Sequence, residues 1–483
     1  MSTGSKIPAS DNFLEELTNA IGVDYVLKGD DTRKWQSDWT NSYLWLPVAV
    51  VRPKTVQEVS AIMQIATRHK CAVVPVSGNT GLSGGTVGEG AVMLSLDRLN
   101  EIENIRVDAR TMRVQAGVVL EAIHDAVDEH DLVFPLSFGA RGSAQIGGCL
   151  ATNAGGSNVL RYGNTRDLCL GLEVVLASGE VLDLMTSLHK DNSGLNLRNL
   201  FVGSEGILGI ITGAILKLHP KPKAYATAMI AASKLEDSLV ILNRLQEATG
   251  GMVEAFEYMP RMYIEQHILQ DPLAREPFDD AHDVNLMIEL GAIAPADATP
   301  DDRGGIPIVE RLQSLLMAML EDGLLVDAVI AQNETQRSEM WRRRELAGEL
   351  TVMVDDLVIN DISLPLQTVA PFLIRAEKDL LKLDRHARFF VVSHLGDGNV
   401  HFTIWPSAGG GVTHEDLRTV LEDLVEEYEG SFSAEHGVGV SKLGSMSRRK
   451  SKVALNTMWA VKTALDPLNI MNPGKVLPPM PNQ

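Results

Sequence analysis

Residues 75–85 read PVSGNTGLSGG and contain four glycines, Gly78, Gly81, Gly84 and Gly85. The apolar run CAVV precedes them and has the composition of a short buried strand. Because glycine adopts positive φ without steric cost, such a loop can point several backbone N–H groups at one anion. No Gly-Lys-Ser/Thr follows, so the loop is not a P-loop, and no GxGxxG opens a helix, so the Rossmann fingerprint is missing. Taken alone, the stretch is either an anion-binding loop or an ordinary structural turn.

Two more glycine-rich segments follow in the first half of the chain. Residues 135–163 read PLSFGARGSAQIGGCLATNAGGSNVLRYG, which is poor in charge and suited to wrapping a large neutral or anionic ligand with backbone hydrogen bonds. Residues 200–218 read LFVGSEGILGIITGAILKL, a glycine-flanked turn that leads into a strong β run.

The composition sets the broad class of protein. The chain has 483 residues, 45% of them hydrophobic, and a net charge of -20. This charge argues against nucleic acid or an anionic membrane as the main partner, although a local basic pocket remains compatible with it. The three cysteines have no metal-binding spacing, which indicates reduced thiols. With no long apolar run and no secretion signal at the start, we expect a cytoplasmic protein without a transmembrane helix.

The alternation of apolar patterns predicts an α+β fold. Thr55 and Glu58 form a capping box before apolar residues at helical spacing, and LEVVLASGEVLDL reads as a hairpin. The regular strand–helix repetition of a doubly wound parallel sheet is missing. Two prolines in LHPKPKA, residues 218–224, predict a domain boundary.

In this order, the three glycine segments resemble the FAD-binding domain of the vanillyl-alcohol-oxidase type of flavoenzymes. The later motifs HLGDGNVH, SAEHGVG and NPGKVL resemble the FAD-linked 2-hydroxyacid dehydrogenase branch of that family. The branch includes D-lactate dehydrogenase, the glycolate oxidase flavoprotein subunit and D-2-hydroxyglutarate dehydrogenase. The resemblance extends over nearly the whole chain, from about residue 45 to 478.

The resemblance implies a division of the chain and a set of FAD contacts. We expect an N-terminal helical segment (1–45), the FAD-binding domain (46–222), an α+β substrate or cap domain (223–430) and a C-terminal segment that returns to the flavin (431–483). The first loop would hold the pyrophosphate and the second the flavin and ribityl part. The residues expected to contact FAD are Pro75, Ser77, Gly78, Asn79, Thr80, Gly81, Leu82, Ser83, Pro135, Leu136, Gly139, Ala140, Ser143, Ile146, Gly147, Gly148, Ala151, Asn153, Gly155, Glu205, Gly206, Gly209, Ile210, Ile211 and Asn472. Because residues 77–81 contain no histidine or cysteine, we expect the FAD to be bound non-covalently.

The stretch HLGDGNVHF, residues 394–402, places His394 and His401 around a glycine-containing turn. Without a flavin domain, packing or capping histidines would be the favoured explanation, with a metal site and an acid–base pair as the alternatives. Beside that domain, we interpret both histidines as metal ligands, with Glu435 of SAEHGVG as the third. Two imidazoles and one carboxylate suit Zn²⁺, with Mn²⁺, Fe²⁺ or Co²⁺ as competitors. Asp397 is expected to orient the turn or a ligating histidine.

His436, next to Glu435, is the expected general base and a substrate contact. His436 would accept the proton of the substrate hydroxyl, a 2-hydroxy acid, and the hydride from C2 would pass to flavin N5. A bound metal would lower the pKa of that hydroxyl. Asn399 is a candidate substrate contact or a turn residue. In MWRRRELAGEL, residues 340–350, at most one or two of the three arginines face a pocket, and Arg344 is the expected carboxylate ligand. The alternative for these arginines is a solvated helix face.

Three positions depart from the D-2-hydroxyglutarate dehydrogenase pattern. Gly348 stands where that pattern has threonine, Ile359 where it has lysine, and Thr403 where it has asparagine. The residues that would bind a second carboxylate of the substrate are therefore different in this chain. The substrate is expected to be D-2-hydroxyglutarate, a D-lactate-like acid or a larger apolar 2-hydroxy acid.

The leading hypothesis is an FAD- and metal-dependent dehydrogenase of (R)-2-hydroxy acids. Electron-transfer flavoprotein or a quinone is the expected acceptor, no NAD dependence is expected, and the family is compatible with a homodimer. Two alternatives are a metal-dependent hydrolase built on the His/His/Glu set and a non-catalytic flavin-binding protein. A colourless zinc protein would favour the first alternative, and a yellow protein that no 2-hydroxy acid bleaches would favour the second.

Overall fold

A small sheet with parallel strands opens the fold. The computed structural model describes residues 11–409 and 411–480. Its first elements are α1 (Asp11–Ile21), β1 (Val26–Leu27), β2 (Ala49–Val51), α2 (Val56–His69), β3 (Val73–Val76) and β4 (Val92–Ser95). The strand order is β1-β2-β4-β3, with β4 parallel to both of its neighbours. The expected cap of α2 is confirmed, since the Thr55 hydroxyl accepts a hydrogen bond from the Glu58 N–H at 3.2 Å.

An antiparallel five-stranded sheet in the order β5-β6-β10-β8-β9 packs with the first sheet. Strands β8 and β9 form the predicted hairpin. A single apolar core joins both sheets and includes α1 residues and Met471 near the end of the chain. The elements of this part are β5 (Ile102–Arg106), β6 (Thr111–Gln115), α3 (Leu120–Asp128), β7 (Leu132–Val133), α4 (Ile146–Thr152), α5 (Val159–Tyr162), β8 (Cys169–Val175), β9 (Val181–Leu184), α6 (Arg198–Phe201), β10 (Ile210–Lys217) and β11 (His219–Pro220).

The second half is built on a seven-stranded antiparallel sheet. Its elements are β12 (Ala224–Ala232), α7 (Ser238–Thr249), β13 (Val253–Pro260), α8 (Arg261–Gln270), β14 (Val284–Ala292), α9 (Pro295–Ala298), α10 (Pro307–Glu321), β15 (Leu325–Ile330), α11 (Glu334–Glu345), α12 (Ala347–Thr351), β16 (Val358–Ser363), α13 (Val369–Leu383), β17 (Arg388–His394), β18 (Asn399–Trp405) and α14 (His414–Glu427). The strand order is β15-β12-β14-β13-β17-β18-β16. One face packs on α7, α10, α13 and α14, and the other on α8, α11 and α12.

The C-terminal segment returns to the first sheet. It contains α15 (Leu443–Arg449) and α16 (Lys452–Leu465). Beyond α16, the N–H of Val73 donates to the carbonyl of Ile470 and the N–H of Asn472 donates to the carbonyl of Val73, both at 2.8 Å. These bonds hold the end of the chain against β3. None of the helices within residues 11–409 and 411–480 is long and apolar enough to cross a membrane.

Candidate active site

A cavity of about 590 Å³ lies where the three glycine segments meet the seven-stranded sheet. Most of the expected FAD contacts line it: Pro75, Ser77, Gly78, Asn79, Thr80, Gly81, Leu82, Ser83, Gly139, Ala140, Ser143, Gly147, Gly148, Ala151, Gly155, Glu205, Gly206, Gly209, Ile210 and Ile211. Residues His394, His401, Glu435, His436 and Arg344 line its other end. The fold therefore brings the glycine loops and the polar motifs of the second half to one chamber.

The first loop has the features of an anion-binding backbone. Within residues 11–409 and 411–480, no backbone carbonyl accepts a hydrogen bond from the N–H groups of residues 78–86. The first turn hydrogen bond after them runs from the N–H of Val87 to the carbonyl of Gly84. Asn79 adopts φ 54°, which turns the chain inside the loop. At Gly78, a Cβ would lie 2.2 Å from the carbonyl oxygen of Ser143, so the loop packs directly on the second glycine segment. Donors without a protein acceptor beside a large chamber fit the pyrophosphate of FAD.

Five of the expected FAD contacts do not line the cavity. Leu136 and Ile146 are buried in the core, and Pro135 lies beside them in the buried stretch 134–136. The side-chain oxygen of Asn153 accepts a hydrogen bond from the N–H of Arg166 at 2.9 Å. The amide nitrogen of Asn472 donates to the carbonyls of Gly85 (2.9 Å) and Glu205 (2.8 Å). Asn472 thus braces two loops that line the chamber.

Glu205 fixes the loop that follows His436. Its carboxylate accepts hydrogen bonds from the N–H groups of Val438 (2.7 Å) and Gly439 (2.8 Å). Burial raises the pKa of Glu205 above its ordinary value, although these two donors act in the opposite direction. Because Glu205 also belongs to the cavity wall, the third glycine segment positions the SAEHGVG motif.

Three imidazoles converge on one carboxylate oxygen. The Nε2 atoms of His394, His401 and His436 lie 3.8, 3.4 and 3.6 Å from Oε1 of Glu435. Ligand atoms bound to one tetrahedral Zn²⁺ lie roughly 3.3–3.5 Å apart. Burial and the neighbouring His436 hold the pKa of His401 well below its ordinary value, which keeps a ligating nitrogen free of a proton. The donor set fits a divalent metal, and it contains one more imidazole, His436, than the expected ligand set.

Asp361 is a member of this cluster that the sequence did not reveal. It lies with His401, Glu435 and His436 in a group whose candidate ligand atoms are all within 4.8 Å of one another. Its buried carboxylate accepts hydrogen bonds from the N–H groups of residues 434, 435 and 436 at 3.2, 3.0 and 2.9 Å. Burial opposes its charge, but His436, Lys442 and His401 hold the pKa of Asp361 well below its ordinary value. The signal for it was an acidic residue inside the apolar strand run VINDISL.

Glu257 is the second unforeseen residue. Its carboxylate, on β13, accepts from Nε of Arg344 at 2.6 Å and lies 3.0 Å from Nδ1 of His394. Burial opposes its charge, yet His394 and Arg344 lower the pKa of Glu257 below its ordinary value. A carboxylate beside Nδ1 orients the His394 ring so that Nε2 points at Glu435, as second carboxylates do for metal-binding histidines.

The three arginines of α11 have different environments. Arg344 lines the cavity, and its Nη2 lies 3.3 Å from Nδ1 of His394. Arg342 pairs with Asp271 at 2.9 Å on the exposed side. Arg343 is buried and donates to the carbonyl of Arg275. One of the three therefore faces the chamber.

Asn399 and Asp397 shape the turn between the two histidines. Nδ2 of Asn399 donates to Asp361 at 2.9 Å and to the carbonyl of Ile362 at 3.0 Å, and Asn399 does not line the cavity. The Asp397 carboxylate accepts from the N–H of Asn399 at 3.0 Å, and burial raises the pKa of Asp397 to about 6. Both side chains hydrogen-bond to the protein's own backbone, and Asn399 also contacts Asp361.

Comparison with known proteins identifies the family. Residues 47–185 match the FAD binding domain family, and residues 221–476 match the C-terminal domain of FAD linked oxidases. A D-2-hydroxyglutarate dehydrogenase of Xanthomonas citri pv. viticola is 35% identical over 92% of both chains. The mitochondrial D-2-hydroxyglutarate dehydrogenase of Rattus norvegicus is 35% identical over 91% of this chain and 80% of its own. A putative mitochondrial D-lactate dehydrogenase of Schizosaccharomyces pombe is 32% identical over 94% and 86%.

Solved structures share the fold at low sequence identity. A p-cresol methylhydroxylase aligns with a TM-score of 0.73 and 17% identity over 98% of both chains. An alkyldihydroxyacetonephosphate synthase aligns with a TM-score of 0.71 and 15% identity over 96% of this chain and 86% of its own. These likenesses confirm the predicted α+β, vanillyl-alcohol-oxidase-type fold. The chain therefore belongs to the FAD-linked 2-hydroxyacid dehydrogenase family, as its motifs predict, and is an FAD-linked oxidoreductase.

Proposed function

We propose that this protein is an FAD- and metal-dependent dehydrogenase that oxidises an (R)-2-hydroxy acid to the 2-keto acid. The observation that carries the proposal is the convergence of three imidazoles and Glu435 at one end of the FAD-type chamber, beside Arg344. The names of the relatives, which act on D-2-hydroxyglutarate and D-lactate, support the same substrate class.

Arg344 would bind the α-carboxylate. Glu257 occupies its Nε, which fixes the plane of the guanidinium and leaves Nη donors for a ligand in the cavity. A guanidinium held by a buried carboxylate loses little conformational entropy when it binds an anion. This arrangement sets the position of the substrate's C1 relative to the histidines.

His394, His401 and Glu435 would hold the metal, with Zn²⁺ as the first choice and Mn²⁺, Fe²⁺ or Co²⁺ as competitors. A divalent ion supplies Lewis acidity that lowers the pKa of the substrate hydroxyl. The chain's own contribution is geometric: Asp361 holds the backbone of residues 434–436, and Glu257 holds His394. Both carboxylates keep the ligand atoms directed inward.

His436 would accept the hydroxyl proton at Nε2. That atom lies 3.6 Å from Oε1 of Glu435, so a hydroxyl between the histidines and Arg344 is within its reach. FAD, when bound, supplies the acceptor for the hydride that leaves C2.

We infer that the FAD is bound non-covalently. Residues 77–81 offer no histidine or cysteine. Cys149 lines the cavity, but burial raises the pKa of its thiol to about 12, so a nucleophilic thiolate is not available there at neutral pH. Three free cysteines favour a reducing compartment, in keeping with a cytoplasmic protein. Electron-transfer flavoprotein or a quinone remains the proposed acceptor, and a homodimer the proposed assembly.

The family match favours a dehydrogenase over the two alternatives, a metal-dependent hydrolase and a non-catalytic flavin-binding protein, because the matched relatives are flavin-linked oxidoreductases. The proposed substrates are D-2-hydroxyglutarate, a D-lactate-like acid or a larger apolar 2-hydroxy acid.

The variant His436→Ala tests the proposal. We expect FAD to stay bound and its anaerobic reduction by a 2-hydroxy acid to slow by about 10²–10⁴-fold, the usual contribution of a general base. The measurement is stopped-flow absorbance of the flavin after mixing with substrate. His414→Ala, at an exposed histidine paired with Asp356, is the matched control and should reduce at the wild-type rate. Wild-type reduction rates in His436→Ala would contradict the role.

A further inference from the structure

We infer that the substrate carries a single carboxylate and an apolar side chain, and that Ile359 helps to set this preference. The inference rests on the proposed function, since it names the acid that the same site oxidises. It departs from the dicarboxylic substrate in the names of the D-2-hydroxyglutarate dehydrogenase relatives. Three observations carry it: the register of the sheet, the space beside α12 and the charges of the cavity wall.

The sheet places an apolar row next to the histidine row. Asp361 pairs with His401, and two residues further along the same strands Ile359 pairs with Thr403. Residues two apart on a strand share a face and lie roughly 7 Å from each other. On β17, Val392 pairs with His401 and is two residue pairs away from Thr403, on the same face of the sheet. A side chain that extends from C2 away from the histidines therefore meets Ile359, Thr403 and Val392, all of which line the cavity.

The segment 341–352 also contributes uncharged side chains to the cavity. Trp341 of α11, Ala347 and Thr351 of α12, and Val352 directly after α12 line the cavity. A Cβ placed on Gly348 would meet no atom within 4 Å, so the chamber is open at this position. The room left by glycine and the apolar surface around it suit a branched or aromatic side chain.

The charges of the wall argue against a second carboxylate. Within residues 11–409 and 411–480, Arg344 is the one lysine or arginine that lines the cavity, and its Nε already pairs with Glu257. Two other nearby cations are engaged elsewhere, Arg141 with Glu345 at 2.8 Å and Lys442 with Asp361 at 3.5 Å. The cavity wall also carries the carboxylate of Glu349, whereas that of Glu345 is neutralised by Arg141.

A dicarboxylate would thus have to bury its far end against apolar side chains, in a cavity whose wall, among the described residues, offers it no free cation. Removing a carboxylate from water without a partner is strongly unfavourable, whereas a methyl group gains from the same burial. The chain has the arginine for the first carboxylate and no cation in the cavity wall for the second. Selectivity between the two acids follows from this difference.

A matched pair of substrates tests the inference. In (R)-2-hydroxy-5-methylhexanoate, two methyl groups replace the two oxygens of the distal carboxylate of (R)-2-hydroxypentanedioate, so shape is kept and charge removed. The measurement is the second-order rate constant for anaerobic flavin reduction of the wild-type holoenzyme. We expect the methylhexanoate to be faster by roughly tenfold or more. An equal or faster rate with the pentanedioate overturns the inference while leaving the proposed function intact.

Substitution at position 359 provides the second arm. Ile359→Lys adds a cation beside Thr403 and should shift the ratio of the two rate constants toward the pentanedioate by about tenfold or more. Ile359→Met, of similar length and without charge, is the control and should keep the wild-type preference. A folded Ile359→Lys variant with an unchanged ratio removes residue 359 from this role. If neither acid, nor (R)-2-hydroxy-3-methylbutanoate, reduces the wild-type flavin, the proposed function itself fails.

Discussion

At the scale of single residues, Glu257 is the central support of the proposed site because Arg344 and His394 share its carboxylate. Arg344 donates to it at 2.6 Å and His394 approaches it at 3.0 Å, all three of them buried. The variant Glu257→Gln would leave a buried guanidinium without its anion. We expect the free energy of unfolding to fall by about 3–5 kcal/mol, as for other broken buried pairs.

Chemical denaturation of the apoprotein checks this value. The control is Glu276→Gln, which breaks the exposed pair between Arg261 and Glu276 and should cost about 0–1 kcal/mol. Equal losses in the two variants would show that Glu257 is not a buried charge partner of Arg344.

His267 on α8 gives the protein a pH-dependent term in its stability. It is 4% exposed, and within the described residues neither ring nitrogen has a hydrogen-bond partner. Burial, helped by Arg343 and Arg342 and opposed by Asp271, lowers the pKa of His267 to about 4. The unfolded chain binds a proton near pH 6.5, but the folded protein does so only near pH 4, so stability is lost as pH falls through this window.

The variant His267→Met removes this titration. We expect its melting temperature to decline less steeply than that of the wild type between pH 6.5 and 4, by thermal denaturation at a series of pH values. The comparison at about pH 7.5 supplies the reference for any packing effect, because His267 is neutral there in both states. Parallel profiles over the whole range would contradict the shift.

At the scale of structural elements, the first and second glycine loops pack against each other closely because Gly78 has no side chain at the contact. A Cβ at Gly78 would lie 2.2 Å from the carbonyl of Ser143 and 3.1 Å from Cα of Ala144. We expect Gly78→Ala to destabilise the apoprotein by about 1–3 kcal/mol, as overpacking does, and to weaken FAD binding. Gly81→Ala in the same loop meets no protein atom within 4 Å and should leave the apoprotein's stability unchanged. Equal melting temperatures for both variants would contradict this packing.

The sequence was sufficient for the elements that short-range patterns encode. The N-cap of α2 by Thr55, the β8–β9 hairpin, the α+β class and the flavin family were all predicted and confirmed. The second half of the predicted capping box differs, since the Glu58 carboxylate accepts from the N–H of Lys54 at 2.6 Å and not from that of Thr55. The motif HLGDGNVH also located two histidines that the fold brings together with Glu435. Such features depend on residues that are close in sequence, which is why motif and periodicity are informative about them.

Long-range pairing is where sequence reasoning failed. Glu257 lies 137 positions before His394, and the two meet because β13 pairs with β17 in the sheet order. Asp361 reaches His401 in the same way, through the pairing of β16 with β18. No local pattern specifies which strands become neighbours. A motif also does not specify where a side chain points. Asn399 and Asn472 were predicted to contact substrate and cofactor, yet both side-chain amides donate to the protein's own backbone carbonyls.

At the scale of the whole molecule, the site is assembled from segments that are hundreds of residues apart. The hydroxyl of Ser83 donates to the carbonyl of His436 at 3.0 Å, Glu205 holds the following loop, and Asn472 spans two glycine segments. The flavin chamber and the histidine cluster therefore share structural supports. Loss of one end should disturb the other, which makes FAD content a necessary control for every active-site variant.

Anaerobic reduction of the FAD-loaded protein by (R)- and (S)-2-hydroxy acids, before and after treatment with a chelator, tests the proposed flavin- and metal-dependent oxidation. We expect the (R)-acid to bleach the flavin and the (S)-acid to leave it oxidised. Chelation should slow the (R)-reaction by about 10²-fold or more, and added Zn²⁺ should restore it. A rate of flavin reduction that the chelator does not change would contradict the proposed metal dependence. A flavin that no 2-hydroxy acid bleaches would contradict the proposed dehydrogenase activity.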